Sequence, residues 1–186
     1  MAAGSEYLPY RSILYVTAGF AGVIALGLLV LQPLLASGVL PGLPMPTGRK
    51  LHRWTGSALV LAIAVHVVGL WITSPPDMID ALTFTAPTAF SALGVVGMWA
   101  LVVAALLALL RKKLHFRPQV WRLAHSTAAI VVVVCSVAHA LMIEGTMGTC
   151  SKILICAVTL GALALTLRRL RPWAGVWRLR DTSTRE

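Results

Sequence analysis

Acidic side chains are nearly missing from this chain: six stand among 186 residues, and none of them (Glu6, Asp77, Asp80, Glu144, Asp181, Glu186) falls inside a long apolar run. A hydrophilic ion path through those runs would draw on such groups, so the usual lining of a cation conduit is not there. Charge of either sign is sparse, at 12% of residues against 58% hydrophobic, with a mean hydropathy of +0.84. Soluble domains carry about 25% charged residues, so the composition describes an integral membrane protein. Cysteine is scarce as well. Cys135, Cys150 and Cys156 form no CxxC pair, and Cys135 and Cys156 lie in apolar runs as packing residues, so no structural disulfide is expected.

What is plentiful is continuous apolar sequence. Five runs, near residues 11 to 36, 52 to 73, 87 to 110, 121 to 143 and 150 to 169, each approach or exceed the roughly 20 residues a helix needs to cross the hydrocarbon core. They do not alternate polar with apolar residues, as barrel strands would. The expected architecture is an all-α integral membrane protein, a single transmembrane domain over residues 1–186 built as a five-transmembrane-helix bundle. Pro41, Gly42, Pro44, Pro46 and Gly48 are expected to break any helix between the first two spans, and Pro75 with Pro76 to end the second. A bend is expected at Gln32–Pro33, where proline removes a backbone donor. The first run starts after Arg11 without a small-residue cleavage site, so it is expected to stay as a helix.

The net charge of +10 is distributed as a topology signal. Arg49, Lys50 and Arg53 precede the second run; Arg111, Lys112, Lys113, Arg117 and Arg122 precede the fourth; Arg168, Arg169, Arg171, Arg178, Arg180 and Arg185 follow the fifth. With five spans all three groups fall on one side, fourteen basic residues against Arg11 and Lys152 on the other. The positive-inside rule then puts the N-terminus outside and the C-terminus in the cytoplasm of a multi-pass protein of the cell (inner) membrane. The basic tail is a topology anchor that touches anionic lipid, with no nucleic-acid partner implied.

Within this frame the histidines stand out. His52 and His66 are fourteen residues apart in one apolar run, and His125 and His139 are fourteen apart in another. Fourteen residues is close to four helical turns, so each pair shares a helix face with about 21 Å between its members. Aligning LHRWTGSALVLAIAVHVVG from Leu51 with AHSTAAIVVVVCSVAHALM from Ala124 superposes both pairs. The second and fourth helices run in the same direction, so His52 pairs in depth with His125, and His66 with His139.

A haem iron with two axial imidazoles has no open position and carries electrons. Four histidines at two depths therefore point to two stacked b-type haems, held without thioether bonds because the chain has no CxxCH. Gly56, Leu59, Ile63, Ala129, Val132 and Ser136 fill the steps between the ligands, and the small ones leave room for a flat ring. Arg53 and Arg122, flanking the inner ligands, are candidates for contacts to haem propionates, although marking the membrane boundary explains them equally well. Trp54 and Trp121 read as interface anchors. His115 reads as a solvated loop residue; Asp77, Met78, Asp80, Glu144, Met147 and Cys150 are candidates for a shallow oxidant or partner site, although plain outer-loop surface explains them as well, and none is given a catalytic role.

The stretches HRWTGSALVLAIAVH and WRLAHSTAAIVVVVCSVAHAL resemble the transmembrane haem domain of ferric reductases and NADPH oxidases, a superfamily also similar to the haem-binding membrane subunit of bacterial periplasmic methionine sulfoxide reductases. The resemblance covers roughly residues 45 to 170. It implies that His52 with His125 binds an inner haem and His66 with His139 an outer one, and that electrons pass from cytoplasmic NAD(P)H through flavin to an acceptor outside. The chain departs from the oxidase pattern in having no flavin or nicotinamide domain after the last span, and in five spans where many relatives have six. A separate donor is therefore expected on the cytoplasmic side, a flavin reductase or membrane quinol. The acceptor would be ferric iron, oxygen or a periplasmic partner protein. Competing expectations are a quinol oxidoreductase similar to cytochrome b561 proteins, a metal or proton transporter using bare histidines, and a purely structural membrane subunit.

Overall fold

The computed structural model describes residues 11–113, 115, 117–144 and 147–173. Six helices follow one another: α1 (Ile13–Ser37), α2 (Met45–Thr73), α3 (Pro75–Leu82), α4 (Ala89–Leu110), α5 (Pro118–Met142) and α6 (Thr149–Leu170). All but α3 are long and apolar enough to cross a membrane, which gives the five spans expected from the sequence. Large aliphatic side chains such as Ile13, Leu61 and Leu109 are 85%, 66% and 75% exposed, an outer surface that belongs in lipid rather than water.

Local chemistry sets the ends. Ser12 caps α1, its hydroxyl accepting from Tyr15 N at 3.3 Å, and Gly38 closes it in the left-handed conformation at φ 63°. α2 starts earlier than the proline-rich stretch suggested. Pro46 and Gly48 lie within its first turn, where a proline loses no needed donor, and Gly48 N donates to Pro44 O at 2.9 Å. The break is thus confined to residues 38–44. Pro118 opens α5 in the same way, so His52 and His125 each sit seven residues, two turns, into their helix. Pro75 and Pro76 do follow the end of α2, but they also open α3, a helix where the outer loop was expected; Ser74 and Asp77 bond through their side chains at its start. Pro33 lies inside an α1 that continues through it.

The helices pack as two antiparallel hairpins, α1 with α2 and α4 with α5, and α6 lies against α1 and α5. Without a hydrophobic driving force between helices in lipid, close approach depends on small residues. A Cβ added to Gly48 would come within 3.0 Å of Leu35 O, and one added to Gly69 within 2.7 Å of the Ala18 Cβ, so glycines hold α1 against α2 at both ends. Thr166 of α6 donates to the Pro33 carbonyl at 2.9 Å, joining α6 to α1. The central core gathers Ala25, Leu26 and Leu29 of α1, Leu59 of α2, Val132, Val133 and Val137 of α5, and Cys156 and Leu163 of α6. Cys135, Cys150 and Cys156 are all free.

Element order puts the C-terminal ends of α1, α4 and α6 beside the N-terminal ends of α2 and α5, so the described members of the three basic groups share one end of the bundle. Glu6, Arg178, Arg180 and Arg185 lie outside the described residues. Replacing Gly69 by valine is expected to cost about 1–3 kcal/mol through overpacking and to lower the thermal midpoint in detergent. Gly27→Ala, with nothing within 4 Å of the new Cβ, should leave it in place. Equal melting of the two variants would contradict the close α1–α2 crossing.

Candidate functional site

The two histidine helices meet as co-directional neighbours. His52 and His125 face each other at the basic end with ring centroids 6.4 Å apart and planes at 77°. His66 and His139 each lie fourteen residues further along the same two helices, at the level of the opposite end. All four rings are neither fully buried nor exposed. Midway between the levels, seven residues from each histidine, Leu59 and Val132 are 4% and 5% exposed, so a dry aliphatic layer separates the pairs.

Three of the four imidazoles are oriented by the other helix of their own hairpin. His66 Nδ1 donates to Ala18 O at 2.8 Å and His52 Nδ1 to Gln32 O at 3.1 Å, both on α1. His139 Nδ1 donates to Phe90 O on α4 at 2.7 Å. For His125 the equivalent position on α4 is Ala104, fourteen residues on from Phe90, but its buried Nδ1 has no hydrogen-bond partner. Ala18 and Gln32 are fourteen residues apart, as are Phe90 and Ala104. The acceptors therefore repeat with the histidines, in the opposite chain direction. A carbonyl can only accept, so the proton in the three bonded rings sits on Nδ1 and the Nε2 lone pair is free for a metal.

At the basic end a second set of contacts steadies the pair. Trp121 stacks on His125, centroids 5.1 Å apart and planes at 11°, and its Nε1 donates to Leu107 O at 2.8 Å. The Arg111 guanidinium lies 4.2 Å from the centre of the indole, a cation–π distance. Trp121 is thus a partner of the site as well as an anchor, while Trp54 is 69% exposed, as an interface anchor should be. Gln32 does double duty: its side-chain Nε2 donates to Thr55 Oγ1 at 2.7 Å beside the carbonyl that takes His52. Arg53 and Arg122 flank the basic-end pair and are exposed, and His115 is an exposed loop residue.

Two participants carried no mark in the sequence reading. The carbonyls of Ala18, Gln32, Phe90 and Ala104 are backbone groups without a side-chain signature; the only sequence trace is a small residue four positions on from each. Lys152, counted there among the few outer-side charges, is 8% exposed and ties α6 to the end of α5 by donating to Ile143 O at 2.6 Å. The outer-loop residues Asp77 and Asp80 instead order α3 and the turn after it, Asp80 O accepting from Thr85 N at 2.9 Å and Ala86 N at 3.0 Å.

The family model described as ferric reductase like transmembrane component matches residues 13–136. The match begins with α1 rather than near residue 45, takes in His52, His66 and His125, and stops three residues before His139. No curated protein and no solved structure matches the chain. Imidazole ¹⁵N spectra of the haem-free protein are expected to report the Nδ1–H tautomer for His52, His66 and His139. An Nε2–H tautomer at those three rings would contradict the carbonyl bonds.

Proposed function

The chain belongs to the ferric reductase-like transmembrane component family, a membership that suggests transmembrane electron transfer, and we propose that it does so as a di-haem b-type cytochrome. His52 with His125 would hold one haem and His66 with His139 the other. The observation that carries this reading is the facing of His52 and His125 across two co-directional helices, with His66 and His139 repeated fourteen residues on along each.

The donor set fits the group. An imidazole nitrogen bonds a metal at about 2 Å, so two rings bound to one iron from opposite sides stand roughly 6 Å apart between centres, against 6.4 Å for His52 and His125. Three rings already carry their proton on Nδ1, and the fourth, His125, keeps a buried Nδ1 without a partner beside the Trp121 stack. Among the described residues no three His, Cys, Asp or Glu side chains converge as a bare ion would require, whereas a porphyrin asks the protein for two axial donors only. Haem held by these imidazoles would supply a one-electron carrier rather than a site for substrate.

The chain's own residues do the rest. The α1 and α4 carbonyls hold the rings so that little reorganises on a change of charge. Leu59, Val132 and the core around them keep water from the layer between the two depths. Arg53 and Arg122 stand where anionic propionates would emerge, at the basic end. If that end faces the cytoplasm, as the positive-inside rule has it, an inside-negative potential favours outward electron movement by ~2.3 kcal/mol per 100 mV. The donor would be a cytoplasmic flavin reductase using NAD(P)H, the flavin belonging to that partner. The acceptor would be ferric iron, oxygen or a periplasmic protein.

A quinol donor, as in cytochrome b561-like proteins, is the second reading. It would use the shallow apolar depression between α4 and α5, lined by Ala100, Val103, Leu123, Ala124, Thr127 and Val131 among others. Reduction by quinol against reduction by NADPH with a flavin reductase separates the two. The primary test is a reduced-minus-oxidised spectrum with pyridine haemochrome quantification. Two haems per chain are expected, with one lost in His66→Ala or His139→Ala; retention of both in these variants would refute the ligand assignment. Trp121→Leu should keep two haems but loosen the basic-end one, about 10-fold by the usual cost of losing a ligand's support, read as haem transfer to apomyoglobin.

A further inference from the structure

The four imidazole–carbonyl sites are unequal, and the inequality traces to one residue at each. In an α-helix the residue four positions on donates its N–H to a given carbonyl, so its Cβ stands beside that oxygen and limits the approach of a third group. Four on from Ala18 is Gly22, and four on from Phe90 is Gly94; four on from Gln32 and Ala104 are Ala36 and Ala108. The hydrogen bonds follow this division. At the glycine sites they are 2.8 and 2.7 Å, at Gln32 3.1 Å, and at Ala104 none is well formed. A Cβ on Gly22 would lie 3.0 Å from His66 Nδ1 and 3.1 Å from Cε1, and one on Gly94 would lie 2.8 Å from both Nδ1 and Cε1 of His139. The obstacle is a ring held by the carbonyl itself, so an added methyl must push the imidazole off its acceptor.

We propose that Gly22 and Gly94 are positioning residues that make His66 and His139 the firmly oriented, more strongly donating ligand pair, while Ala36 and Ala108 leave His52 and His125 the weaker pair. This rests on the haem reading above and extends it: four identical residues would give two electronically different sites. The physical cause is the bond to Nδ1–H, which raises the basicity of the ligating Nε2 and fixes the ring's orientation. A better donor stabilises ferric over ferrous iron, so each glycine lowers the potential of the haem held by His66 and His139 relative to the same site with alanine.

The test uses the full chain purified with haem. In Gly22→Ala and Gly94→Ala the midpoint potential of one haem should shift upward while the other stays put, and retention of the shifted haem against apomyoglobin should fall about 10- to 100-fold. Ala36→Gly and Ala108→Gly should move the other haem, downward, and they keep the test decisive should a glycine variant fail to fold. Gly27→Ala, on the same helix but facing open space, should move neither. Unchanged potentials in all four variants, or equal shifts of both haems, would overturn the positioning role. A wild-type chain that binds no haem would instead overturn the reading on which it rests.

Discussion

A helix carbonyl has two lone pairs, and only one is used by the N–H four residues further on. In this bundle the second holds three of the histidines. An imidazole placed among lipid-facing helices needs a partner for each nitrogen, and six acidic residues, none inside a span, leave no carboxylate to serve. The backbone of the neighbouring helix provides the acceptor, which fixes the proton on Nδ1 and leaves Nε2 for the opposing pair. The requirement reaches outward: α1 and α4 must lie close enough for a ring to bridge the gap, hence the glycines along the α1–α2 crossing and at position 94.

The result is a molecule of two similar hairpins with α6 set against them. Each hairpin contributes one helix of histidines and one of backbone acceptors, and the hairpins stand so that His52 and His125 face each other. Charge sits at one end, aliphatic surface covers the sides, and the core between the two histidine levels is dry. That division suits a protein that moves charge across a membrane without opening a path for water or ions. The basic end carries the additional Arg111–Trp121–His125 stack, so His125, which lacks a carbonyl partner, is steadied by side chains where the other three rings are steadied by backbone.

Much of this was legible in the residues. The five apolar runs predicted the five long helices to within a turn at most ends, because a span is set by bilayer thickness rather than by propensity. The matched spacing of His52–His66 and His125–His139 predicted that His52 would face His125, because helix period and parallel topology set the two at one level. The start of α2 was misjudged, since Pro46 and Gly48 look like breakers in isolation yet are tolerated in a first turn. The role of α1 was hidden, since a carbonyl looks the same at every residue. Gly22 and Gly94, seventy-two residues apart beside histidines seventy-three apart, were the available signal. Lys152 and Trp121 were read from their types as surface charge and interface anchor, and tertiary contact gave each a further partner that type alone does not announce.

The most direct measurement of the central claim is a low-temperature EPR spectrum of the oxidised, purified chain. Four imidazoles gripping two irons predict two distinct low-spin ferric signals, one lost on replacing His52 and the other on replacing His66. A single signal, a high-spin signal from iron lacking an axial ligand in the unaltered chain, or both signals surviving either replacement would contradict the account.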